Sequence, residues 1–297
     1  MTDRILLAAT LILACSVAPA PGALAQPASA PAAKSGFVTT SDGIRIHYLE
    51  AGPREAKAPA ILFVPGWTMP AEIWEKQIAH FARTHRVVAM DPRSQGDSSQ
   101  PSEGHYPAAR ARDIKAVVDQ LHLAPVVLIG WSMGVTEAIA YVDQFSTDTL
   151  AGLVLVDGWA GADYDPKLTP QMWQWAAGFQ KDRRTQTEAF VRSMFKKPQS
   201  EEYLKHLTEA SLRTPTNSAM ALFVGAFTSD YRAALAKINK PTLLVVAQSP
   251  WVTIYQDMQK RIAGSRLEVL DGVGHALFVD EPARFNSLLG DFLKALH

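Results

Sequence analysis

Two short segments of the chain carry residues suited to nucleophilic chemistry. Gly130-Trp131-Ser132-Met133-Gly134 has the G-x-S-x-G pattern. In that pattern a strand turns sharply into a helix with the serine at the strained apex, and glycines on either side admit the neighbouring backbone. The pentapeptide alone occurs by chance in many proteins, so its context decides. The apolar run Val126–Ile129 precedes it and a helical run, Met133–Phe145, follows. Near the other end of the chain, Gly272-Val273-Gly274-His275 places an imidazole in a glycine-rich loop. A histidine of ordinary pKa, about 6.5, accepts and returns a proton near neutrality. Serine with such a base performs acyl transfer to water through an acyl-enzyme, with Ser132 as nucleophile and His275 as base. The other seven histidines are scattered without ligand spacing, so neither a metal site nor another cofactor is expected.

The elements that must position these groups alternate along the chain. Strand-like runs fall at Ile44–Leu49, Ile61–Val64, Arg86–Met90, Val126–Ile129, Leu153–Val156, Thr242–Ala247 and Leu267–Leu270. Helical runs lie between them. Ala108–Leu121 places Ile114, Val117, Val118 and Leu121 on one stripe, and Phe285–Leu296 is patterned similarly. Short apolar strands alternating with helices predict an α/β fold, a mostly parallel sheet covered on both faces. From about Trp159 to Lys237 the alternation stops. Helical stretches at Pro170–Gln180, Thr185–Phe195 and Glu201–Ser211, punctuated by Pro198 and Pro215, predict an all-helical insertion where a lid over the site would sit.

Beyond residue 37 the chain resembles the α/β-hydrolase family at four places in the family's order. Val64-Pro65-Gly66-Trp67 is similar to the oxyanion turn after the third strand. Asp91-Pro92-Arg93-Ser94-Gln95-Gly96-Asp97-Ser98 resembles the D-x-R-G-x-G-x-S loop after the fourth. The G-x-S-x-G elbow is the third, and Gly274-His275 with Asp280 and Pro282 resembles the closing G-H motif. Within the family, Gly-Trp-Ser-Met-Gly and Pro-Gly-Trp look most like the esterases once called non-haem haloperoxidases. The resemblance implies an α/β-hydrolase fold with a helical cap after strand six, and an oxyanion hole of the Trp67 and Met133 backbone N–H groups. Pro65 stands where the family's turn opens with histidine, and Ser94 stands where its loop has glycine. Both departures imply altered loop packing.

The third member of the catalytic set is the open problem. In most relatives an aspartate follows the seventh strand, but here Thr242–Ala247 runs into Gln248-Ser249-Pro250-Trp251-Val252-Thr253 without a carboxylate. Asp257, in the next helical run, is expected to face solvent. Asp157, at the tip of the sixth strand, preserves the order Ser, acid, His and matches the acid position of certain dehalogenases and lipases. Many relatives carry an aspartate there that only ties down loops. Asp271, four residues before His275, is a weaker candidate, and Asp91 and Asp230 read as structural.

The N-terminus is a different kind of sequence. Arg4, the apolar run Ile5–Ala14 and Ala23-Leu24-Ala25 before Gln26 form a secretory signal over residues 1–25, implying a periplasmic or secreted protein. The run is too short for a stable membrane span. Cys15, the only cysteine, falls inside it, and Ile12-Leu13-Ala14-Cys15 also resembles a lipobox, which would make Cys15 a lipid anchor. Residues 26–36, largely Pro, Ala and Ser, read as a flexible linker. The hydrolase core then covers 37–158 and 238–297, and the helical cap 159–237. With 29 basic and 29 acidic residues the formal charge cancels, so no nucleic-acid partner is expected.

The expected partner is a small-molecule acyl substrate, with Trp131 and Trp159 beside the site as substrate-binding residues. Trp159, Tyr164, Trp173, Trp175, Phe179, Phe190, Phe195, Phe223 and Phe227 supply the insertion with aromatics. Some line a pocket and most join helices. Relatives that cleave epoxides or carbon–halogen bonds carry aspartate at the elbow, so Ser132 argues against those reactions. Ester, lactone, thioester and amide hydrolysis stay open, with peracid formation implied by the resemblance. So do a non-catalytic binding protein on the same fold, since the usual acid position is empty, and carbon–carbon hydrolysis of a diketone.

Overall fold

The computed structural model describes residues 32–161 and 169–296. The expected leader at 1–25, Cys15, Tyr164 and most of the 26–36 linker lie outside them. Eight strands form one sheet in the order β1-β2-β4-β3-β5-β6-β7-β8. They are β1 (Lys34–Thr39), β2 (Arg45–Ala51), β3 (Ala60–Val64), β4 (Val87–Met90), β5 (Val126–Trp131), β6 (Leu150–Val156), β7 (Thr242–Ala247) and β8 (Arg266–Leu270). β2 is antiparallel to β1 and β4, and every other pairing is parallel.

The buried strands read as the sequence dictates. β3, β5, β6 and β7 are apolar runs, covered on both faces, as parallel strands must be. Alternate residues feed two cores. Ile61, Phe63, Val127, Ile129 and Trp131 enter the core that holds Trp74, Phe278 and Phe285. Leu62, Val64, Val126 and Leu128 enter the one that holds Ile114, Val135 and Ile139.

The helices are α1 (Glu75–Phe81), α2 (Pro107–Gln120), α3 (Met133–Phe145), α4 (Thr169–Lys181), α5 (Arg183–Ser193), α6 (Glu201–Leu212), α7 (Thr216–Thr228), α8 (Val252–Arg261), α9 (Leu277–Asp280) and α10 (Pro282–Lys294). Four of them, α4 to α7, lie between β6 and β7 in the chain. No helix among the described residues is long and apolar enough to cross a membrane.

One expectation needs correction, and two helices were not foreseen. The linker does not extend to residue 36, because Lys34-Ser35-Gly36 already pair with β2 in β1. That edge strand buries only Val38 of its six residues, so it carries almost no apolar signal. The short helix α1 had no counterpart in the sequence reading. Nor did α7, which begins directly after Pro215 and buries Ser218, Ala219, Met220, Leu222 and Ala226, a face too mixed to announce itself.

Candidate active site

Ser132 sits between β5 and α3 at φ 56°, ψ −121°, the strained apex that the flanking glycines permit. The clearance is tight. A Cβ on Gly130 would lie 2.2 Å from the Gly134 carbonyl oxygen, and one on Gly134 would lie 2.6 Å from that of Val64. The Ser132 N–H donates to the Val156 carbonyl at 2.9 Å, which fixes the apex against the end of β6.

His275 and Asp157 meet this serine from two other elements. His275 Nδ1 is 2.7 Å from Asp157 Oδ2, and its Nε2 is 2.8 Å from Ser132 Oγ. A carboxylate only accepts, so Nδ1 carries the proton and Nε2 is left to accept the Ser132 hydroxyl. Asp157 is 7% exposed, at φ 43°, and its Oδ1 accepts the Ala247 N–H at 3.0 Å. The other carboxylates are elsewhere. Asp257 pairs with Arg261 on the surface of α8, Asp271 is exposed, and Asp230 pairs with Arg232. Asp91 accepts N–H groups from Ala71 and Asp97 and bonds to His47, which binds its loop together.

The histidine loop is braced from three sides. Gly274 N–H donates to Asp280 Oδ2 at 2.7 Å, and the same carboxylate accepts the Lys196 and Lys197 N–H groups. Ala276 N–H donates to the Met194 carbonyl at 2.9 Å. Trp131 Nε1 donates to the His275 carbonyl at 2.9 Å. Trp131 is therefore not a substrate contact. It is 1% exposed, packs edge-on to Trp74 and Phe278, and does not line the cavity. The strand alternation that lifts Ser132 toward solvent turns Trp131 into the core.

A cavity of about 690 Å³ opens beside Ser132. Trp67, Met133 and Trp159 line it, so these sequence-singled residues do come together with Ser132, Asp157 and His275. Neither the Trp67 nor the Met133 backbone N–H donates to an acceptor among the described residues. Trp175, Phe190, Phe223, Phe227 and Trp251 make the wall aromatic, with Thr136, Gln171, Gln248 and Ser249 as its polar points. Trp251, Gln248 and Ser249 went unremarked as lining residues; their signal was their place after β7, where the usual acid is missing. Phe195 instead packs on Tyr203, and Trp173 is exposed.

Ser94, the departure from glycine, keeps the backbone that glycine would supply, at φ 68°, and bonds through Oγ to His105 Nε2 at 2.9 Å. Burial, and then the charges of Arg110 and Arg93, hold the His105 pKa below its usual value, so this ring is a neutral partner.

Comparison with known proteins bears on the fold and the family. The chain is 39% identical over 122 residues to a bifunctional esterase/perhydrolase of Acinetobacter calcoaceticus, a match covering 41% of this chain and 44% of that protein. A non-heme chloroperoxidase of Streptomyces lividans matches to the same extent. The aligned region thus spans less than half the length of either relative. Over nearly the whole fold, an esterase from Exiguobacterium antarcticum superposes with TM-score 0.80 at 25% identity, covering 87% of this chain and 98% of that one. The family model described as "Alpha/beta hydrolase family" matches residues 61–288, and the chain belongs to that family.

Proposed function

We propose that this protein is an exported serine hydrolase that cleaves carboxylic esters, lactones included, through an acyl-enzyme on Ser132. The observation that carries the reading is the continuous chain from Ser132 Oγ through the His275 ring to Asp157, at the wall of an aromatic cavity. Ser132 Oγ attacks the carbonyl carbon as its proton passes to His275 Nε2. The carbonyl electrons move onto oxygen, which the Trp67 and Met133 N–H groups stabilise. Collapse expels the alcohol, which takes the proton from Nε2. Water then repeats the sequence and releases the acid. Asp157 holds the His275 tautomer and stabilises the imidazolium.

Among the described lining residues, Asp157 and His275 are the only acidic or basic side chains, and they are paired with each other. That lining favours an uncharged substrate with an apolar acyl or alcohol portion. Export rests on the sequence of residues 1–25. A fluorophosphonate probe tests the reading. It is expected to label the wild type and not Ser132→Ala, with hydrolysis of short p-nitrophenyl esters lost in the same variant. Folded wild type that takes no label would favour a binding protein. Turnover of vinylogous diketones in preference to esters would favour carbon–carbon hydrolysis.

A further inference from the structure

Thr68 lies in the turn that carries Trp67, fully buried and at φ 58°. A β-branched residue at positive φ is strained, and such strain persists only where the surroundings over-determine it. Two sets of contacts do so here. From the cap, Ser211 Oγ bonds to Thr68 Oγ1 at 2.7 Å, and the Ala219 carbonyl accepts Trp67 Nε1–H at 2.7 Å. From the core comes Gln95.

The Gln95 side chain is 1% exposed and uses every hydrogen-bonding position that its amide has. Its Oε1 accepts the Thr68 N–H at 3.1 Å and Arg110 Nη2 at 2.8 Å. Its Nε2 donates to the Gly66 carbonyl at 3.0 Å and the Met69 carbonyl at 2.8 Å. Guanidinium and backbone N–H only donate, so the partners themselves fix which end of the amide is oxygen. Gln95 thereby grips the backbone on both sides of Trp67.

The grip has a second anchor. Arg110, fully buried on α2, places Nε 2.9 Å from Oε1 of Glu137. The approach is close but misaligned for a hydrogen bond. Glu137 lies on α3 four residues after Met133, on the same face of the helix. A continuous buried chain, Glu137 to Arg110 to Gln95, therefore joins the helix bearing the Met133 N–H to the turn bearing the Trp67 N–H.

We propose that Gln95, anchored by the Arg110–Glu137 pair, sets the separation of these two oxyanion donors and so is a positioning residue for acyl transfer; this rests on the acyl-enzyme reading above. Gln95 does not line the cavity, so ground-state binding does not involve it. A donor displaced by a fraction of an ångström loses hold on the tetrahedral oxyanion while leaving the substrate pocket intact.

The test uses Gln95→Glu, which keeps the shape and the two acceptor contacts but turns an oxygen toward the Gly66 and Met69 carbonyls. Gln95→Asn, one methylene shorter, is the second variant. With a p-nitrophenyl ester, kcat is expected to fall about 10- to 100-fold while KM stays within about 3-fold. Affinity for a trifluoromethyl ketone, whose adduct mimics the tetrahedral state, should fall with kcat. A folded variant with wild-type kcat and undiminished ketone affinity would overturn the proposal. So would losses of kcat, KM and melting temperature in parallel, or failure of both variants to fold, since each marks a mere fold anchor. Wild type that neither hydrolyses esters nor takes a fluorophosphonate sinks the acyl-enzyme reading instead, a failure visible without either variant.

Discussion

Asp157 reaches His275 from the tip of β6 with 2.7 Å between Oδ2 and Nδ1, while Ala247 at the tip of β7 donates its N–H to the other carboxylate oxygen at 3.0 Å. The strand that lacks the usual acid thus still orients the acid, through its backbone. Asp157→Asn is expected to lower kcat about 10⁴-fold, because an amide nitrogen facing Nδ1 favours the wrong tautomer. The melting temperature should stay near wild type, since the Ala247 contact needs only an oxygen. Steady-state kinetics with a thermal melt check this. Turnover near wild type would remove Asp157 from the mechanism.

Much of this arrangement was legible because its signals are local. Ser132 and His275 were marked by glycines that the backbone geometry demands, and the inner strands by unbroken apolar runs. Asp157 was singled out by the lack of a rival carboxylate together with its match to the acid position of certain relatives, and the contact that orients it comes from Ala247, 90 positions away. Gln95 was not legible at all. Its role depends on four partners from two other segments, the 66–69 turn and α2, and a glutamine in a loop carries no pattern. Trp131 failed for the opposite reason. Adjacency to the nucleophile reads as access, yet the pleat sends neighbours to opposite sides.

The two tryptophans should separate kinetically. Trp131→Phe keeps the packing against Trp74 and Phe278 but loses the hydrogen bond to the His275 carbonyl. One neutral hydrogen bond is worth about 0.5–1.5 kcal/mol, so kcat should drop roughly 2- to 10-fold with KM unchanged. Trp159→Ala instead removes a cavity wall that packs on Phe227 and Trp251, and should raise KM more than it lowers kcat. Equal KM values for both variants would place Trp159 outside the binding surface.

A second Ser–His–Asp chain provides an internal control. Ser35 Oγ is 2.7 Å from His47 Nε2, and His47 Nδ1 is 2.7 Å from Asp91 Oδ2. Ser35, however, is exposed within edge strand β1, with no helix N-terminus behind it and no place in the cavity wall. Without oxyanion donors, the relay alone should not make Ser35 a nucleophile. Fluorophosphonate treatment followed by peptide mass mapping should place label on Ser132 only, and Ser35→Ala should keep activity within about 2-fold of wild type. His47→Ala should instead cost about 1–3 kcal/mol of stability, because the buried Asp91 loses a partner. Label on Ser35 in the Ser132→Ala protein would show that the relay suffices.

The Arg110–Glu137 pair makes stability depend on pH in a definite direction. Burial pushes the Glu137 carboxyl up to about 7, against the pull of Arg110 and with the help of nearby Asp113, which Arg93 in turn holds as an ion pair. The ordinary value, 4.5, applies in the unfolded chain. Between these two values the folded state binds more protons, so stability from this group is full below the lower one and is lost as pH rises through the higher. Glu137→Gln cannot titrate. At pH 5 it should be about as stable as wild type, because the folded wild-type carboxyl is then mostly protonated and glutamine has nearly its shape. The stability of wild type relative to the variant, from urea midpoints between pH 5 and pH 8, should therefore fall as pH rises, to below the variant's at pH 8. A difference that is flat or grows in favour of wild type across that window would mean Glu137 is ionised throughout. The anchor behind Gln95 would then be a permanent ion pair, and its hold on the oxyanion turn would not vary with pH.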